Sequence, residues 1–125
     1  MKDLALARAN AQEARRENAE VRREDAKTRR GLVQLGTSTW WGLMAEVSDE
    51  CAEFYDALAE QFEAWAEGSY ATARAAKARA DETDEWTKDY NSEQVEAADN
   101  RKKAASSRKD AALSRAHARR ANALE

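Results

Sequence analysis

Few residues in this chain could carry chemistry. There is one cysteine, Cys51, and one histidine, His117, among 24 carboxylates. A Cys–His pair can make a nucleophile when the imidazole takes the thiol proton. With one residue of each type and no local motif around either, that pairing is arithmetic. Carboxylates on facing helices can hold two metal ions, but such sites also need Glu-x-x-His pairs. The residue three before His117 is Ser114. Gly31, Gly36, Gly42 and Gly68 are isolated, so no glycine-rich loop is present to cradle a phosphate. The expectation is a protein with no catalytic activity, no cofactor and no metal.

Charge narrows the partners. Arg15, Arg16, Arg22 and Arg23 are interleaved with Glu13, Glu17, Glu20 and Glu24, and the chain carries a net charge of −3. Non-specific binding to nucleic acid calls for an uninterrupted basic patch, so none is expected. A lone Cys51 cannot form an intrachain disulfide, which implies a reduced, cytoplasmic compartment. Val47, Phe54 and Tyr55 lie at helical spacing around it, the setting of a small buried hydrophobe. His117, near the chain end among Ala116, Ala118, Arg119 and Arg120, reads as an ordinary exposed or partly exposed histidine. The first thirty residues contain no signal-like apolar run, and the longest uncharged stretch is Gly31 to Ala45. That is shorter than the ~20 residues a membrane-spanning helix needs, so a membrane role is not expected.

The elements behind these residues are all helical. The chain contains no proline, the residue that breaks helix interiors. Alanine, the best helix former, occurs 29 times, while isoleucine is absent. Leu, Val and Phe supply only 14 positions, too few for a thick core. Thin seams lined by alanine are predicted instead. Approximate helices are 3–35, 38–67, 69–90 and 92–124 in one domain, 1–125. The predicted fold is an all-α, elongated antiparallel bundle or coiled coil of three to four long helices. The alternative is one long two-helix hairpin turning at Gly68.

The first helix has a seven-residue seam of Leu4, Ala7, Ala11, Ala14, Asn18, Val21, Asp25, Thr28, Leu32 and Leu35. The last has a seam of Ala97, Asn100, Ala104, Ser107, Ala111, Ser114, Ala118 and Ala121. Between them Trp40, Met44, Val47, Cys51, Phe54, Leu58, Phe62 and Trp65 follow the 3.6-residue helical period. A turn near Gly36, capped by Thr37 to Thr39, would fold the first helix onto the second, so that facing positions sum to roughly 73. Gly68-Ser69 reads as a helix end, and Asn91-Ser92-Glu93-Gln94 as a helix start. Tyr70, Ala73, Ala76, Ala80, Trp86 and Tyr90 would form the apolar side of the intervening helix.

Residues 38–68 hold eight acids and no base, whereas 1–37 hold nine bases and six acids, and 91–125 eight bases and five acids. An acidic helix between two basic ones is what complementary packing would produce, although each row could equally be a solvated face. Trp40 and Trp41 are adjacent, so at least one belongs at an edge. Trp65-Ala66-Glu67-Gly68 resembles, over four residues, the Trp–Gly turn of small WXG-type helical-hairpin proteins. The spacing between Trp and Gly is two residues where that turn has one, so family membership does not follow.

These features lead to one expectation and one alternative. The expectation is a structural or interaction protein that self-associates or binds another helical protein. Its contact surface would use Trp40, Trp41, Leu43, Ala97, Ala104, Ala111 and Ala118. The alternative is a helical binding module whose aromatic residues enclose an apolar ligand or a haem-like cofactor.

Overall fold

The computed structural model describes residues 2–78 and 84–125, with side chains for 3–69 and 88–125. It contains three helices: α1, Lys2–Gly31; α2, Ser38–Ala78; and α3, Asp84–Leu124. The all-α class and the bundle packing follow the composition. The packing is open, however. Helix α2 packs against both α1 and α3, while among the described residues no part of α1 packs on α3.

The first connection is built as its sequence suggests. Leu32 and Val33 amides reach back three residues to Arg29 and Arg30 carbonyls, tightening the end of α1. Gly36 then takes φ +82°, a conformation that glycine adopts without steric cost. The Thr37 hydroxyl accepts the Trp40 amide at 3.2 Å and donates to the Gln34 carbonyl at 2.8 Å, so Thr37 is the N-cap of α2. A second cap comes from the far end of the chain. The Ser38 amide and hydroxyl each donate to the Glu125 carboxylate at 2.8 Å. Those bonds hold the Glu125 carboxyl below its ordinary range, the backbone bond contributing most.

Three expectations need correction. Gly68 does not end a helix; it lies inside α2, which rules out both a break there and a hairpin turning there. A glycine ends a helix by entering the left-handed region, and Gly68 does not. It faces α1, where a Cβ would stand 3.8 Å from Ala5 Cβ, an ordinary van der Waals contact. Residues 91–94 do not start a helix, because α3 runs through them. Glu93 accepts the Ser69 hydroxyl of α2 at 3.2 Å, a cross-helix bond in place of a capping box. The seam read for α1 also does not face α2. Its helical members from Leu4 to Thr28 are all exposed, and so are Leu32 and Leu35 in the connection.

Helix α1 packs through Ala5, Ala9, Ala19 and Ala26, with Gln12, Arg16 and Arg23 half-buried between them. That stripe lies roughly 150° round the helix from the predicted one. Helix α3 uses the predicted seam: Ala97, Asn100, Ala104, Ala111 and Ser114 are buried, and Ser107, Ala118 and Ala121 half-buried. In α2, Ala45, Ala52, Ala57, Ala59, Ala64 and Ala66 are buried with Leu43 and Gln61. The interior is thus almost wholly methyl groups. Alanine lets backbones approach closely, but each buried methyl contributes only about 0.8 kcal/mol.

Candidate interaction surfaces

Two ladders of charge run along α2, and both have a period of seven residues. On α1 the cations are Arg8, Arg15, Arg22 and Arg29; the facing acids on α2 are Glu46, Glu53, Glu60 and Glu67. Arg8 pairs with Glu67, Arg15 with both Glu53 and Glu60, and Arg29 with Glu46 at 2.7 Å. Arg22 reaches Glu50 at 3.0 Å, one turn from the position strict repetition would give. On the other side, Arg101, Arg108 and Arg115 of α3 pair with Glu63, Asp56 and Asp49. Every rung of this second ladder joins numbers that sum to 164, and its acids lie three residues from those of the first. Both ladders therefore occupy one face of the three-helix layer.

Most rungs keep a third or more of each side chain in water, so each contributes at most ~1 kcal/mol. Their collective effect is register and choice of face. At three of the arginines the ionisation responds to the pairing. The hydrogen bond from Arg15 holds the Glu53 carboxyl below its ordinary range, and the same bond raises the Arg15 guanidinium. The Glu63 hydrogen bond raises Arg101, and the Asp56 hydrogen bond raises Arg108.

The opposite face of the layer is aromatic and aliphatic. Doublets in α1 divide between the two faces: Arg15, Arg22 and Arg29 go to the acids, whereas Arg16, Arg23 and Arg30 cover apolar groups of α2. Arg16 and Arg23 each lie 5.9 Å from the Phe54 ring centroid. An Arg23 N–H points at Cys51 Sγ, 3.8 Å away, and Arg30 touches Met44 Sδ. Helix α3 divides its one basic triplet, residues 101–103, in three. Arg101 turns to the acids, Lys103 sits 5.7 Å from the Tyr55 ring centroid, and Lys102 between them faces outward. Farther along, His117 takes the place of Lys103 and stacks on Trp41 at 4.3 Å, with an Arg120 N–H directed at its Nδ1.

The predicted contact residues do not form one surface. Trp40 and Trp41 are half-buried, meet edge to face at 4.8 Å, and sit where α2 begins. Leu43 is buried one turn later. Ala97, Ala104 and Ala111 are buried against α2 within the same chain, and Ala118 is half-buried beside them. Cys51, expected as a buried hydrophobe, is half-buried beside a guanidinium. His117 is half-buried, within the exposed-to-partly-exposed range read from its neighbours. The two lie against different helices, so they share no site. Tyr70, Ala73, Ala76, Ala80 and Trp86 fall outside the described side chains. Among the described residues, no group of three or more His, Cys, Asp or Glu side chains could hold a metal.

Segment charge taken as a sum does not reveal the ladders. Their signal was available as three seven-residue progressions, of Arg in α1, of Glu in α2 and of Arg in α3. What the fold leaves uncovered are its two long outer edges. On α1, Leu4 and Val21 are exposed (67% and 69%), continued by Leu32 and Leu35 in the connection. On α3, Val95 and Leu113 are exposed to a similar degree (68% and 62%). Among the described residues no helix is long and apolar enough to cross a membrane. No protein family, curated protein or solved structure matches this chain.

Proposed function

We propose that this protein is a structural, non-catalytic component that assembles with further copies of itself. One observation carries the reading: the chain buries alanines internally and turns Leu4, Val21, Leu32, Leu35, Val95 and Leu113 outward. Large apolar side chains give two to four times the transfer energy of a methyl group, so a self-sufficient fold would place them inside. Rows of them along two open edges favour lateral partners. An alanine interior suits this role, since it holds three helices in a thin layer whose long edges remain available.

The aromatic-pocket reading has less support. Trp40, Trp41, Phe54, Tyr55 and Phe62 spread along one face and are all half-buried, while Trp65 is exposed. None of the contacts draws Cys51 and His117 to a common ligand position.

Multi-angle light scattering over a micromolar concentration series tests the proposal. The expected result is a mass of two or more chains that rises with concentration. A mass of 14.0 kDa throughout, with full helicity and reversible unfolding independent of concentration, would remove it.

A further inference from the structure

The two outer edges differ in charge, and that difference names the partner surface. Along the outside of α3, Lys102 and Lys109 are exposed, stand seven residues apart, and have no ion pair among the described residues. Along the outside of α1, Glu17 and Glu24 are exposed and also stand seven residues apart. Among the described residues Glu17 has no ion pair, and Glu24 pairs only with Arg23 and Lys27 of its own helix. Each charged pair lies beside an exposed apolar row, Val21 on α1 and Leu113 with Val95 on α3. The internal ladders already join arginines to acids at this period on two helix pairs.

Resting on the self-assembly reading above, we infer that the α3 edge of one copy docks on the α1 edge of the next, with Lys102 and Lys109 facing Glu17 and Glu24. The equal spacing permits both pairs at once, whether the helices run parallel or antiparallel. Different surfaces meet in this contact, so it is heterologous. Copies add side by side to a ring if the rotation closes and to an extended sheet or filament if it does not. Like edges would oppose lysine to lysine or glutamate to glutamate, which disfavours a twofold dimer through either edge alone.

Charge reversal in the full chain tests this. Glu17→Lys with Glu24→Lys, or Lys102→Glu with Lys109→Glu, should each weaken association about tenfold or more at low salt. All four substitutions in one chain should restore it. Circular dichroism should be unchanged in all three variants, because these side chains point into solvent. Carbodiimide treatment of mixed light and heavy isotope chains gives a second readout. It should join Lys102 or Lys109 of one copy to Glu17 or Glu24 of another.

Association that ignores both reversals, or intercopy crosslinks mapping to other surfaces, would overturn the edge assignment and leave self-assembly standing. A native chain that stays monomeric would overturn both. Binding of that monomer to anionic lipid vesicles, lost on Lys102→Glu with Lys109→Glu, would reassign the α3 edge to a lipid surface.

Discussion

Helices α1 and α3 flank the same central helix, and both pack alanines against it while turning leucine and valine outward. They differ in what else was on offer. Helix α3 has one continuous row of small residues, because Lys102 and Lys109 interrupt its outer side. Helix α1 has two: the row through Ala5, Ala9, Ala19 and Ala26, and the more apolar row through Leu4, Ala11 and Val21. It packs with the less apolar one. Packing through the outer row would bring Glu17, Glu24 and Asp25 toward the acids of α2. The inner row brings two columns of arginine instead, one for the carboxylates and one for Phe54, Cys51 and Met44. Pairing of opposite charges from Arg8 to Arg29, over about six turns of α1, outweighs the transfer energy of a few aliphatic side chains. A partner on the outer edge can still recover that energy.

The sharpest test of this contrast is a buried charge on each row. Ala104→Glu and Ala111→Glu place carboxylates at fully buried seam positions of α3, and each should cost about 3–5 kcal/mol, seen as lost helicity and a lower Tm. Ala11→Glu and Ala14→Glu on the outer row of α1 should stay within ~0.5 kcal/mol at concentrations where chains are separate. Equal losses from both sets would mean that α1 packs through its outer row.

Crosslinking gives an all-or-none version. Arg23→Cys should join Cys51 through a short bis-maleimide within one chain at high dilution, since Arg23 already reaches that sulfur. Val21→Cys, on the far face of α1, should not. Reaction at Val21 alone would reverse the assignment of faces.

The ladder contributes less. Arg15 bridges Glu53 and Glu60 with a third of its side chain exposed, and Arg15→Gln should cost about 1 kcal/mol, diminished by salt. Lys109→Gln, outside both ladders, should leave the unfolding midpoint of separate chains unchanged.

The smallest effect is in the pH dependence. Arg15 lowers the Glu53 pKa on folding, so that contribution is present above the unfolded-state value and is lost as pH falls through the folded one. Burial raises the Glu93 pKa, so its contribution is present at acid pH and is lost as pH rises through the raised value. Glu53→Gln should flatten the acid limb of stability between α1 and α2. Glu93→Gln should remove the opposing slope at the α2–α3 junction. Chemical denaturation at a series of pH values from about 3 to 7 measures both.

Much of the architecture was legible before any coordinates. Absence of proline, abundance of alanine and unbroken periodicity determine long helices, because these are properties of the local backbone. Gly36 with Thr37 determines the first reversal for the same reason, and the observed pairing of positions 8 with 67 and 29 with 46 agrees with the expected fold-back near a sum of 73. The α3 seam was readable because only one side of that helix is continuously small. Tertiary structure decided the rest. Gly68 and Asn91 carry terminating and starting signals worth about 1 kcal/mol each, and helix pairing across α2 overrides both. The face of α1 could not be read from its own residues, since two seven-residue rows coexist on it. That choice belongs to the acids of α2, which are distant in sequence and meet α1 only once the chain has folded back.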